Sequence, residues 1–262
     1  MKVWAVANQK GGVGKTTTAV SLGGLLAQQG AKTLLVDTDP HGSLTSYFRY
    51  SPDELESSVY SLFENRSIDP LTLVKPTQFE NLNILPASMA LATLDRQLGA
   101  QSGMGLVIHQ AMQKLGQEYD YALIDCPPML GVLMVNALAA CDHLIVPVQT
   151  EFLAIKGLER MLRTLNMIMR SRSLSLPYTI VPTLFDRRTR ASTDTLRLLR
   201  RQYGPEVLWR FVVPVDTQFR EASRMGMPLP MLAPQARGVI AYQKLLRVLL
   251  GEQGVARRAV AL

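Results

Sequence analysis

Lys10-Gly11-Gly12-Val13-Gly14-Lys15-Thr16-Thr17 follows an apolar run, Val3-Trp4-Ala5-Val6-Ala7, and leads into a helix-like run from Thr18 to Gln29. Three glycines let the backbone bend through conformations closed to other residues and approach a ligand closely. Successive N–H groups of such a bend converge on an anion, and a helix starting near Gly14 adds its positive end. Lys15 is set to reach the β- and γ-phosphates of a nucleotide, and the Thr16 hydroxyl to ligate Mg²⁺. The match to the phosphate-loop pattern G-x-x-x-x-G-K-[ST] is loose, because Gln9 stands where the first glycine belongs. Instead the loop opens on a second lysine, Lys10. A plain glycine-rich turn is the competing reading. It does not account for two lysines, three glycines and two threonines packed between a strand and a helix.

Two more apolar runs end in acid. Lys32-Thr33-Leu34-Leu35-Val36 leads to Asp37-Thr38-Asp39-Pro40, and Tyr121-Ala122-Leu123-Ile124 leads to Asp125-Cys126-Pro127-Pro128. In an open parallel sheet, ligands bind beyond the carboxyl ends of the strands. Three strands thus deliver a phosphate loop, an aspartate pair and a lone aspartate to one edge. Asp125 is placed to hold Mg²⁺, through water. Taken singly, each aspartate reads equally well as a helix cap or turn residue.

The rest of the chain alternates. Strands are expected over 2–8, 32–37, 82–86, 121–125, 143–148, 178–183 and 210–213. Helices are expected over 15–29, 52–64, 89–98, 104–117, 131–141, 152–170, 191–203, 216–225 and 237–251. Loops fill 38–53, 66–81 and 226–236. This alternation predicts an α/β fold of the phosphate-loop NTPase type: a doubly wound, mainly parallel sheet with helices on both faces, in a single domain over 1–262. Hydrophobic content of 47% and charged content of 19% exclude a disordered chain. No apolar run approaches the roughly 18 residues of a membrane span. Met1-Lys2-Val3 runs straight into the first strand, so a cytoplasmic protein is expected. Cys126 and Cys141 read as reduced thiols and form no CxxC pair.

These segments resemble the ParA/MinD family of deviant Walker A ATPases, and its ParA/Soj branch most. The match rests on Asn8 to Thr18, Val36 to Pro40 and Leu123 to Pro128. Val146 to Glu151, Ala154 to Leu158, Phe185 to Thr189 and Ala236 to Tyr242 extend it over nearly the whole chain. The resemblance implies ATP and Mg²⁺ as ligands, with Lys10, Gly11, Gly12, Val13, Gly14, Lys15, Thr16 and Thr17 cradling the phosphates. It implies an ATP-dependent homodimer in which Lys10 reaches the partner's nucleotide. Asp39 is then the residue that orients the attacking water, Asp37 its neighbour in the metal's outer shell, and Thr16 and Asp125 the magnesium residues. Hydrolysis is expected to be slow alone and faster with an activating adaptor or ParB-like protein. For the base, the resemblance points to Thr183–Arg188 and Pro214–Phe219; Pro214 either packs against adenine or simply ends a strand.

Charge is divided unevenly. Residues 1–155 carry 9 Lys and Arg against 14 Asp and Glu, and residues 156–262 carry 19 against 7, for nets of −5 and +12. Arg197, Arg200 and Arg201 share a helix face, with Leu196, Leu199 and Tyr203 available to pack inward. Arg187, Arg188 and Arg190 lie just upstream. Arginine suits phosphate recognition, so one expectation is a sequence-independent DNA surface and a location at the nucleoid or a cell pole. The alternatives are a solvated helix face or a dock for an acidic protein. Chromosome-segregation relatives carry a P-R-N-V-R-L-S-E-A segment; here it reads Pro214-Val215-Asp216-Thr217-Gln218-Phe219-Arg220-Glu221-Ala222, with Val215 and Gln218 in place of both arginines. Arg220 or the 187–201 cluster is left to compensate.

A second departure is Asp39-Pro40-His41-Gly42, where the segregation proteins usually have glutamine at the third place. With Gly42-Ser43-Leu44-Thr45-Ser46 it resembles the ParC-type proteins that position chemoreceptor arrays. Two other readings stay in view. A MinD-like membrane switch needs an amphipathic C-terminal helix, and 251–262, with two glycines and no aromatic, makes a poor one. A metabolic enzyme on the same scaffold is the other.

Overall fold

The computed structural model describes residues 1–94, 104–172 and 175–251. The strands are β1 (Lys2–Val6), β2 (Thr33–Asp37), β3 (Lys75–Pro76), β4 (Leu82–Leu85), β5 (Tyr121–Asp125), β6 (His143–Gln149) and β7 (Tyr178–Thr183). They form one sheet in the order β3-β4-β2-β5-β1-β6-β7, parallel throughout except for β3 against β4. The α-helices are α1 (Lys15–Gln28), α2 (Ser43–Tyr47), α3 (Val59–Glu64), α4 (Val107–Leu115), α5 (Val132–Ala140), α6 (Phe152–Arg172), α7 (Arg190–Gln202), α8 (Gln218–Met225), α9 (Leu229–Leu232) and α10 (Arg237–Leu249).

Alternation along each strand divides the core in two. Val3 and Ala5 of β1, Leu34 and Val36 of β2, and Ala122 and Ile124 of β5 join the cluster that holds α3, α4, α5 and α6 residues. Trp4, Val6, Leu35 and Leu123 join the other cluster, with α1 and α10. Gly23 of α1 permits the close seat of that helix on the sheet, since a Cβ there would lie 2.7 Å from Leu35 Cδ2. The doubly wound, mainly parallel sheet expected from the sequence is therefore present, and it is what brings the chemistry together. The central order β2-β5-β1 sets Asp37 opposite Asp125 in register, and Asp125 opposite Val6, the last residue of β1, with three residues between it and the phosphate loop.

Several expected elements are corrected. No strand forms over 210–213. Only isolated bridges, Ile180 with Leu208 and Phe185 with Pro214, connect this segment to the sheet edge. Trp209 N donates to Ile180 O and Val213 N to Pro182 O, but the residues between them make no ladder, so pairing lapses. The helix expected over 52–64 starts at Val59, where Ser58 caps it in a box with Ser61. Over 89–98 a 3₁₀ turn spans Met89–Thr93, and 95–98 lie outside the described residues. The expected loops hide structure: α2 in 38–53, a 3₁₀ turn (Pro70–Leu73) and β3 in 66–81, and α9 in 226–236. These pieces are too short to show a period in sequence.

Candidate functional site

The phosphate loop bends as its glycines require. Gly12 and Gly14 have φ of 74° and 89°, and Gly14 immediately precedes α1. No side chain caps α1 and no acid lies in its first turn, so its positive end is left for an anion. The loop is braced from below. Val13 is fully buried, and its carbonyl accepts from Thr183 Oγ1 at 2.8 Å. Thr18 Oγ1 donates to the Gly14 carbonyl at 2.7 Å and also meets Tyr242 Oη of α10 at 2.8 Å. Asn8 is fully buried; its Nδ2 donates to Pro147 O at 2.7 Å and its Oδ1 accepts from Lys10 N at 3.0 Å.

The two lysines occupy different settings. Lys15 is buried, and its charge acts on Asp125. Lys10 lies at the rim, where its Nζ donates to Glu151 Oε1 at 3.0 Å; the two side chains are 27% and 43% exposed. Glu151 directly precedes α6. Gly157, one turn into that helix, lies beneath Lys10, and a Cβ there would stand 3.3 Å from Lys10 Cβ.

The acidic centre is buried. Thr16 Oγ1 donates to Asp125 Oδ2 at 2.6 Å, while Asp125 Oδ1 is buried with no hydrogen-bond partner. Asp37 Oδ2 accepts from both Thr45 N (2.8 Å) and Thr45 Oγ1 (2.7 Å), and its Oδ1 from Asp39 N (3.1 Å). Burial raises the pKa of Asp125, and the facing Asp37 raises it further. Burial also raises that of Asp37, against the opposing hydrogen bonds from Thr45. An orphaned carboxylate oxygen beside a threonine hydroxyl is a donor set that fits a hard divalent cation. Asp37, with both oxygens already engaged by protein donors, fits the outer shell rather than the first.

Asp39 follows on a tight turn: Gly42 N donates to Asp39 O at 2.8 Å, with Pro40 at the second position. Asp39 Oδ1 accepts from His41 N (3.0 Å) and contacts His41 Nδ1 (2.9 Å). Gly42 has φ 60°, and a Cβ there would run into the Pro52 ring.

Pro214 lines a hollow of about 180 Å³ together with Gly14, Thr17, Phe219, Arg220 and Tyr242, so it adjoins the loop rather than merely ending a strand. The arginines are less uniform than their spacing suggests. Arg187, Arg188, Arg190, Arg197, Arg200, Arg201 and Arg220 are all exposed, while Leu196 and Leu199 are buried as expected. Arg188 pairs with Asp186 at 2.7 Å, Arg197 with Asp194 at 2.8 Å, and Arg200 donates to Arg210 O at 3.1 Å. The site residues not singled out from sequence are Thr45, Thr183, Glu151 and Gly157. All four fell within quoted segments, but nothing in the sequence showed that Thr45 holds Asp37, that Thr183 braces Val13, or that Glu151 and Gly157 meet Lys10.

Residues 1–177 match the model of the AAA domain family. The chain is 35% identical to the sporulation initiation inhibitor protein Soj of Bacillus subtilis, over 94% of this chain and 97% of that one. It is 34% identical to the chromosome partitioning protein ParA of Caulobacter vibrioides, over 97% and 95%. Among solved structures, cobyrinic acid a,c-diamide synthase from Mycobacterium smegmatis, with bound ATP analogue and magnesium, superimposes with a TM-score of 0.83 at 34% identity, over 98% of this chain and 97% of that one.

Proposed function

The chain belongs to the Soj/ParA family of chromosome-partitioning ATPases, and from that membership we propose that it is an ATP-dependent dimerisation switch. Slow hydrolysis, quickened by a partner, would let it position or partition a cellular cargo. The observation that carries this reading is the separation of the two lysines. Lys15 is buried near Asp125, whereas Lys10 sits on the rim, where its one ion pair among the described residues is with the part-exposed carboxylate of Glu151. A rim cation can exchange Glu151 for a phosphate presented by a second copy. It then acts as an arginine finger does, making turnover depend on assembly.

Within each site, the loop N–H groups and Lys15 hold the phosphates, and Asp39 orients the attacking water. Thr16 and Asp125 hold magnesium, with Asp37 behind them. Magnesium, when bound, neutralises charge on the β- and γ-phosphates. The base packs on Pro214 in the hollow beside Gly14 and Thr17. The whole chain, 1–262, acts as one unit in this scheme.

The exposed arginines of 187–201 and Arg220 form the surface offered to DNA, and the protein works at the nucleoid or a pole. The His41 variant and its resemblance to array-positioning proteins favour a chemoreceptor-array adaptor or pole protein as partner, with a ParB-like protein as the alternative. Among the described residues no helix is long and apolar enough to cross a membrane. The tail considered for a MinD-like anchor, 251–262, lies outside the described residues apart from Gly251.

A metabolic role is the second reading, favoured by the resemblance to the diamide synthase structure. Both cysteines are buried with raised pKa, the reverse of an activated thiol, so neither suits a nucleophilic role in such an enzyme. Saturable stimulation of ATP turnover by a small carboxylic acid would favour that role. The switch reading is tested with Lys10→Ala: it predicts ATP binding without ATP-induced dimers, and a normal dimer with normal turnover overturns it.

A further inference from the structure

We propose that His41 is a positioning residue for Asp39, a role that rests on the reading of Asp39 as the water-orienting carboxylate. Three constraints fix their relation. The Asp39–Gly42 turn, closed by the 2.8 Å bond from Gly42 N to Asp39 O, places His41 at its third position. Gly42 is seated against the Pro52 ring, where no Cβ fits. The His41 backbone N–H donates to Asp39 Oδ1 at 3.0 Å, which swings the carboxylate back over the turn.

The imidazole completes the arrangement. Its Nδ1 lies 2.9 Å from the same oxygen. An ionised carboxylate only accepts, so Nδ1 carries the proton in this contact. Both His41 donors converge on Oδ1, and Oδ2 has no hydrogen-bond partner among the described residues. The carboxylate is thereby held in one rotamer by one oxygen, with the other left to accept from water. The Asp39 side chain is 13% exposed and that of His41 81%, so the acid is largely covered while the ring that touches it faces solvent. With the backbone bond alone, the carboxylate keeps rotational freedom about its side-chain bonds. That freedom lowers the fraction of time it spends aligned for attack.

Asn places its Nδ2 as many bonds from Cα as His places Nδ1, so His41→Asn keeps a donor for Oδ1 and His41→Ala removes it. The test is steady-state ATP turnover and nucleotide affinity of five proteins: wild type, Asp39→Asn, His41→Ala, His41→Asn and the double variant Asp39→Asn/His41→Ala. The expected result is a fall in kcat of about tenfold for His41→Ala with ATP affinity and KM unchanged. His41→Asn should recover most of that loss, and His41→Ala should have no further effect in the Asp39→Asn background. If Asp39→Asn itself retains turnover, the reading of Asp39 is wrong and the role of His41 goes with it. If Asp39→Asn is inactive yet His41→Ala keeps the wild-type kcat, or loses it with no recovery in His41→Asn, the proposal for His41 fails alone.

Discussion

Lys10 Nζ and Glu151 Oε1 meet at 3.0 Å across 141 residues of sequence, joining the opening of the phosphate loop to the start of α6. Both groups are part-exposed, and such pairs contribute at most about 1 kcal/mol. In the proposed switch this contact is a weak latch, which Lys10 would give up for a phosphate. Glu151→Gln should free the lysine and raise the ATP-dependent dimerisation constant by up to about fivefold, read by light scattering across a concentration series. A weaker dimer in that variant would show that Glu151 supports the assembled state instead.

The acidic centre predicts an unusual response to pH. Burial raises the carboxyls of Asp37 and Asp125 above the ordinary range, to about 6 and about 8, so the folded protein retains protons that the unfolded chain releases. Stability without nucleotide should then fall as pH rises from about 4 through that window. Asp125→Asn removes the larger of the two shifts. Its melting temperature should exceed that of the wild type at pH 8, while Mg²⁺ with ATP should stabilise it far less. Calorimetry at pH 5 and pH 8, with and without Mg²⁺ and ATP, checks both directions.

Gly42 ties the turn of Asp39 to its surroundings. A methyl group there meets the Pro52 ring, at a backbone φ of 60°. Gly42→Ala should cost about 2–3 kcal/mol through strain and overpacking together. A fall in melting temperature of several degrees, with a larger proportional fall in ATP turnover than in ATP affinity, is the expected outcome.

The arginine surface makes a finer prediction than the sequence allowed. Arg188 and Arg197 are tied to Asp186 and Asp194, whereas Arg187 and Arg201 have no side-chain hydrogen bond or ion pair among the described residues. If DNA is bound, Arg187→Ala and Arg201→Ala should each flatten the dependence of log affinity on log salt by about 0.9. Fluorescence anisotropy with duplexes of unrelated sequence measures this; an unchanged slope would remove those residues from the interface.

How much of this could be read in the sequence follows from where the information lies. The loop from Lys10 to Thr17, Asp37 and Asp125 were legible because a parallel sheet forces its functional residues to strand ends, and those strands are plain apolar runs. The segment 210–213 misled, because its apolar residues, Phe211, Val212 and Val213, pack at the sheet edge without a continuous ladder. The hold of Thr45 on Asp37 was invisible, because it depends on α2, a helix of five residues inside an expected loop. Glu151 and Gly157 were equally hidden, since their contact with Lys10 exists only once α6 packs beside the loop.

Trans complementation tests the exchange of Lys10 between subunits most directly. Lys10→Ala and Asp39→Ala proteins should each be nearly inactive in ATP turnover. Mixed in equal amounts, they form a heterodimer in which the Asp39→Ala subunit lends its intact Lys10 to the intact site of its partner. With random pairing, roughly a quarter of wild-type turnover should return. A mixture no more active than its components, with heterodimers shown to be present, would contradict the account.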